Sequence, residues 1–360
     1  MKRKFLIATG LFFAGILLFS ACQEEYFPKL DNVEPMLVVD GLFTNQPGPH
    51  TVRLSQSVKF QQAFTNTPVS GASLYIAGSD GASIPLSESQ PGVYQTPAGY
   101  SGQIGHSYVL HIETPDGQMY QSDPQLILQP VNAETVNGQI SEEVFYNYSA
   151  ISNRVYATTA EGTEAYLQVS DPGTGSARYR FNSIHYLQYL IIYGAEGVAP
   201  TIDYCWIKRS INDQLGNDIG NPNNHEISSE KVGFVMRNRN FIPYYGFPEA
   251  MYDFNRVLIN KIYTLNDDSY EYHKAKNDQL SDEGRFFDPI AAQLKGNVRN
   301  LTNPNIKVLG LFEASSEITL TYNILTNYAE GTISIVPVHN LDHVPNTGCL
   351  YEQYPSHWIF

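Results

Sequence analysis

Basic residues are in short supply: 22 Lys plus Arg stand against 36 Asp plus Glu in 360 residues, a formal net charge of −14. Three of the bases, Lys2, Arg3 and Lys4, sit in a leader expected to be removed, which leaves the mature chain more negative still. No Lys/Arg stripe offsets that charge, so phosphate backbones are repelled and nucleic-acid binding is excluded. Long hydrophobic runs are also missing. The apolar run Phe5–Phe19 covers about 15 residues, where a bilayer-crossing helix needs about 20. Several chemical signatures are absent as well: there is no G-x-S-x-G nucleophile elbow, no phosphate-binding loop and no H-E-x-x-H zinc motif. No fixed-period repeat appears, which argues against a solenoid or propeller. What the chain does have is 42% hydrophobic and only 16% charged residues, enough to bury a sizeable core. Its 27 Gly, 21 Pro and 25 Tyr describe strands and turns rather than long helices. Length alone gives a prior of about two domains.

The N-terminus carries a location. Met1–Lys4 form a basic start, and the apolar run ends in Ser20-Ala21 before Cys22, so residues 1–21 read as a signal peptide rather than a membrane span. Leu18-Phe-Ser-Ala-Cys22 resembles a bacterial lipobox, in which the Cys thiol is acylated and becomes the new N-terminus. Several acyl chains on one residue make a stable anchor to outer-membrane lipid. Glu24 and Glu25 follow at once and resemble the acidic signal that sends lipoproteins to the outer face of the outer membrane. Residues 22–35 show no apolar periodicity and read as a lipidated tether.

From 36 to 130 short alternating segments are separated by turn clusters, the pattern of an all-β sandwich. Candidate strands are Met36–Phe43, His50–Ser57, Ala72–Ala77, Ser83–Ser87, Gly92–Gln95, Ser107–Glu113 and Met119–Ser122. They fit an immunoglobulin-like or prealbumin-like domain. Along the sixth, Tyr108, Leu110 and Ile112 share one face, so His111 belongs to the solvent face and is not a ligand. Residues 131–360 read as a larger β-rich, Tyr-rich second domain. Its candidate strands are Ala165–Ser170, Ser183–Tyr193, Asp203–Lys208, Lys231–Met236, Arg256–Leu265, Lys307–Glu313 and Glu317–Leu325. One stretch there looks helical: Asp267-Asp-Ser269 supply caps, Tyr270–Leu280 the body and Gly284 a stop. Asp171-Pro-Gly-Thr-Gly-Ser176 reads as a hairpin turn.

Sites are sparse. His339 and His343 have the spacing of two ligands on one helical face, but Pro337 and Pro345 bracket them, so a polar loop is expected and no metal is assigned. His225-Glu226 lies in a polar loop. Asp253, Asp267, Asp268, Asp278, Asp282, Glu283 and Asp288 crowd together; helix capping and a solvated helix face account for them better than a catalytic pair does. With Cys22 committed to lipid, Cys205 and Cys349 are the remaining thiols; they either pair as a disulfide, which the exterior permits, or stay as two buried free thiols. Tyr244, Tyr245 and Trp358 lie in or near Pro- and Gly-containing segments, where rings can be presented to sugars, peptides or a protein partner instead of filling a core. Neither catalytic residues nor a cofactor site is assigned.

Several segments resemble the Bacteroidota lipoprotein family catalogued as domain of unknown function 4249. They are Leu37-Val-Val-Asp-Gly-Leu-Phe-Thr-Asn45, Val52-Arg-Leu-Ser55, Pro91-Gly-Val-Tyr94, Tyr120-Gln-Ser-Asp-Pro124, Gly284-Arg-Phe-Phe-Asp-Pro289, Gly296-Asn-Val-Arg-Asn300 and Val308-Leu-Gly-Leu-Phe-Glu-Ala-Ser-Ser316. The resemblance implies a surface lipoprotein with an N-terminal immunoglobulin-like or prealbumin-like domain, often encoded beside a TonB-dependent outer-membrane receptor. It carries over no catalytic residues. The expectation is therefore a non-enzymatic accessory lipoprotein that captures or holds cargo for such a transporter. A structural or adhesive surface protein is the alternative, and a glycan-active hydrolase a lesser one.

Overall fold

Alternation of apolar and polar residues makes the first strands. A computed structural model describes residues 35–57, 67–149, 154–173, 177–193, 201–215, 227–236, 256–282, 294–327 and 332–337. From Met36 on, these belong to one unit, Met36–Ser57 with Thr65–Phe360. The chain is mainly β, as expected. Its opening strands are β1 (Leu37–Thr44), β2 (Thr51–Gln56), β3 (Thr67–Pro68), β4 (Ser73–Gly78), β5 (Ser83–Gln90), β6 (Val93–Gln95), β7 (Ser107–Glu113), β8 (Met119–Ser122) and β9 (Gln125–Leu126). Every second residue points inward: Leu37, Val39 and Phe43 from β1, Val52 and Leu54 from β2, Tyr108, Leu110 and Ile112 from β7 share one core. His111 lies on the opposite face of β7, stacked on Tyr75 with ring centroids 4.4 Å apart. The short β3 and β9 carry too little alternation to be read from sequence.

The rest of the chain adds β10 (Asn132–Ser149), β11 (Arg154–Ser170), β12 (Tyr179–Tyr193), β13 (Thr201–Leu215), β14 (Ile227–Met236), β15 (Arg256–Thr264), helix α1 (Asp267–Asp282), β16 (Val298–Asn300), β17 (Leu309–Asn327) and β18 (Thr332–Pro337). Strands β10, β11 and β14 form a separate antiparallel sheet, while β12, β13, β15 and β17 continue the large one. The two sheets meet in a second core, where Leu167 and Val169 of β11 and Val232 of β14 pack with Tyr179, Phe181, Leu258, Ile262 and Ile324. Asp171-Pro-Gly173 is consequently not a hairpin turn. It carries the chain from β11 in one sheet to β12 in the other, with Gly173 N donating to Asp171 Oδ1 at 3.1 Å.

Strand β17 joins the two cores. Its first half pairs in parallel with β1, from Val38 opposite Leu309 to Thr44 opposite Ser315. Its second half pairs antiparallel with β15, from Thr264 opposite Ser316 to Val257 opposite Asn323. The sequence reads as two strands broken near Ala314-Ser-Ser316; the structure runs straight through, because those small residues are where the β1 ladder hands over to the β15 ladder. Residues 311–317 are buried on both faces. Strand β16 supplies Asn297 just before it, whose side-chain amide imitates a neighbouring strand: Nδ2 donates to Phe312 O at 2.7 Å, and Phe312 N donates to Oδ1 at 3.0 Å. The backbones approach so closely that Gly310, at φ +89°, leaves only 1.9 Å between a would-be Cβ and the Val39 carbonyl oxygen.

Helix α1 begins one residue earlier than the capping pattern implies. Asn266, not Asp267–Ser269, is the cap: its Oδ1 accepts from Ser269 N at 2.9 Å, and its Nδ2 donates to Gln125 Oε1 at 2.8 Å. Asp267 and Asp268 occupy the first turn, where the helix dipole favours them.

Gly310→Ala is expected to cost at least about 2 kcal/mol, since it adds both a left-handed side chain and an overlap with backbone that cannot retreat. Urea unfolding followed by circular dichroism measures it; an unchanged midpoint would contradict the close approach.

Candidate functional site

Three features of the described residues are candidate sites: a buried ionic network on β17, a carboxylate cluster on β11, and the outer ribbon of β10 and β11. The first centres on Glu313, only 3% exposed, whose neighbours on β17 are apolar. Arg180 of β12, 7% exposed, brings Nη2 to 3.0 Å from Oε1 and Nε to 3.1 Å from Oε2. His273 Nε2 from α1 lies 2.8 Å from Oε2, and Ser315 Oγ donates to Oε1 at 2.8 Å. The Arg180 guanidinium also lies over the Tyr263 ring, 4.0 Å from its centroid. Burial alone would raise the Glu313 pKa, but Arg180 and His273 outweigh it and hold the carboxyl well below the usual glutamate range. Both oxygens are fully engaged, so this carboxylate acts as a brace among β12, β17 and α1 and has no oxygen to offer a substrate proton.

The second is Glu164, on β11 where β10 bulges between Asn137 and Ile140. Lys231 Nζ of β14 reaches Glu164 Oε1 at 2.9 Å and also binds Glu143 of β10. Tyr166 OH donates at 2.8 Å and Ser141 Oγ at 3.0 Å. The Lys231 hydrogen bond, with help from Tyr166 and Ser141, lowers the Glu164 pKa to about 2. A carboxylate this firmly ionised is no general acid at neutral pH. Its effect is mechanical: one ammonium ties all three strands of the small sheet together.

Beyond that knot lies the third feature. Among the described residues β14 pairs with β11 over Gly162–Ser170, while β10 and β11 stay paired to Ser149 and Arg154. The outer part of that pair is an antiparallel ribbon. On β11, Ala165, Leu167 and Val169 belong to the alternate set that faces the core, and Val155 continues that set at 64% exposure. Val144 of β10, opposite Thr159, is 53% exposed on the same face, and Tyr156 is 45% exposed on the other. Between buried Ala165 and exposed Val155 the same set runs through Thr163, Glu161, Thr159 and Ala157, so Val144 and Val155 are exposed apolar side chains beyond a polar stretch. A cleft of about 370 Å³ lies elsewhere, bounded by Ile104, Leu126, Pro172 and Leu265, with the Arg178–Asp267 ion pair among its lining.

Of the residues singled out from sequence, Cys22, Cys349, His225, Glu226, His339, His343, Tyr244, Tyr245, Trp358, Asp253, Glu283 and Asp288 lie outside the described residues. Cys205 sits on β13, its backbone opposite Tyr189 of β12. Asp267 is 2.5 Å from Arg178 Nη1, and Asp268, Asp278 and Asp282 lie along α1. Among the described residues no three His, Cys, Asp or Glu side chains gather as metal ligands. Arg180, Glu313, His273, Glu164 and Lys231 were not singled out from sequence. Only Glu313 left a sign, a lone carboxylate inside the apolar run Val308–Ala314.

Residues 23–321 match the family described as Domain of unknown function (DUF4249). No curated protein matches the chain.

Because Glu164 and Glu313 hold their protons less tightly when folded than when unfolded, the stability they supply is complete above the ordinary glutamate value of 4.5. It drains as pH falls, toward about 2 for Glu164 and lower still for Glu313. Glu164→Gln should therefore flatten the acid limb of stability below pH 4.5 in a circular-dichroism titration. Arg180→Met, which strands a buried carboxylate, should cost about 3–5 kcal/mol at neutral pH; a loss below about 1 kcal/mol would mean that the network is solvent-screened.

Proposed function

The chain belongs to the DUF4249 family, and from that premise we propose that it is a non-enzymatic outer-membrane lipoprotein, anchored through Cys22 and facing the cell exterior. In this reading it serves as an accessory subunit of a TonB-dependent transporter and captures or holds cargo at its mouth. The observation that carries the reading is the outer β10–β11 pair, where Val144, Val155 and Tyr156 stand exposed, apolar surface of the kind a macromolecular partner covers. The lipobox-like Leu18–Cys22 and the acidic Glu24-Glu25 support the location. Glu164 and Glu313, each held by a cation, are not candidates for general acid–base chemistry. The same ribbon would also serve an adhesive surface protein, and the experiment below separates the two.

Cys22→Ser should abolish incorporation of a labelled fatty acid and shift the protein from the membrane pellet to the soluble fraction. Mild-detergent pull-down from native membranes through a C-terminal tag should bring a large outer-membrane barrel in near-equal amount. Recovery as a lone chain under the gentlest extraction would overturn the transporter role and leave the adhesive one.

A further inference from the structure

We propose that the outer face of the sheet β5-β4-β7-β8-β16 is a self-association surface, and that its occupant is the same face of a second copy of this chain. The contact needs nothing but the chain itself, so it stands apart from the transporter role and forms in the purified protein as it does on cells. Three observations carry it. First, exposed apolar side chains gather there. Ladder pairing sets Pro85, Tyr75, His111, Gln121 and Arg299 side by side across the five strands, with Glu113 and Met119 paired in the next row. Alternation keeps Ile112 and Tyr120 in the core and turns these residues outward. Tyr75 is 41% exposed and Met119 50%; Leu301, whose N donates to Met119 O at 2.7 Å, is 43% exposed. Large apolar side chains grouped in this way on one face mark a contact surface.

Second, the face is already ordered. All five strands begin and end among the described residues, and the chain enters β16 from the side of β17, where Gly296 lies against the Gly310 backbone. Tyr75 and His111 stack with their rings 5° from parallel. A surface built on paired strands loses little entropy when it is covered. Its five strands, about 4.8 Å apart, make a face about 20 Å wide, the footprint of a small and reversible interface.

Third, charge selects the occupant. The chain carries −14 overall, so two copies repel wherever their acidic surfaces meet. On this face Arg299 and Asp123 cancel as an ion pair at 3.1 Å, which leaves the Glu113 carboxylate. Burial lowers the His111 pKa, so its imidazole adds no charge at neutral pH. Two copies therefore approach here with little of the repulsion that the overall charge imposes. The face is also self-complementary. A two-fold axis in the plane of the interface, passing between Met119 and Gln121, lays Glu113 of each copy over Arg299 of the other and brings the two Met119 side chains together.

Analytical ultracentrifugation of the full chain in mild detergent tests this, and a concentration-dependent dimer is expected. Glu113→Arg and Arg299→Glu should each weaken it about tenfold, and the double exchange should restore it. Met119→Lys, which sets two like charges at the axis, should leave a monomer. All three side chains are exposed, so the variants keep the fold, which circular dichroism checks. A chain that stays monomeric at every concentration would overturn the proposal. So would a dimer indifferent to these substitutions, or a double exchange as weak as either single one. Because the purified chain is used alone, neither result bears on whether a transporter is the partner.

Discussion

The parallel pairing of Leu309–Ser315 with Val38–Thr44 is the constraint on which the rest of the structure depends. A parallel ladder between segments this far apart closes a long loop, so its entropy cost is borne by the contacts that the whole intervening chain makes. Here it fixes β17 as a strand with two partners in succession, β1 and then β15, and thereby aligns the core of the first strands with that of the later sheets. Gly310 and Gly296 stand in that setting because backbone meets backbone there and no side chain fits between, and the Asn297 amide bonds to the Phe312 backbone beside them. With both faces covered, the strand's two buried carboxylates had to be paired internally: Arg180 meets Glu313, with His273 hydrogen-bonded beside it, and Lys261 meets Glu317.

Strands β10 and β11 are long, 18 and 17 residues, and among the described residues it is their inner ends that pack in the second core. Beyond Gly162 the ribbon keeps its register without a third strand among the described residues, from a base tied by Lys231. The molecule therefore has two kinds of buried or half-buried charge with different consequences. The Glu313 network is sealed and holds elements together. The Glu164 cluster stands beside solvent and ties the three strands of the small sheet together.

Much of the first half was legible because its physics is local. In β2, β4 and β7 the side chains alternate strictly between core and solvent, and Gly, Pro or Asp mark the turns, so strand after strand lies within a residue or two of its expected bounds. Helix α1 was legible for the same reason, and its cap was off by one only because Asn266 competes with the Asp, Asp and Ser that follow it. The family-like segments Leu37–Asn45, Gly296–Asn300 and Val308–Ser316 turn out to be one place, the meeting of β1, β16 and β17, which no single segment reveals. What escaped was non-local. Strand β10 is polar and Gly-interrupted, so no regular alternation announces its pairing with β11. The Asp171–Gly173 turn looks like a hairpin because turn residues report a reversal, not which sheet the chain enters next. The ionic residues escaped because Arg180, His273 and Glu313 meet only through the fold.

A ribbon that meets a partner is bare in the isolated molecule and covered at the cell surface, and hydroxyl-radical footprinting of Tyr156 and Val155, in intact cells and in the purified chain, reads this out. Strong labelling of both residues is expected in the purified protein and marked protection in cells, while Met119 is labelled alike in both. Equal labelling of Val155 and Tyr156 in the two settings would contradict it.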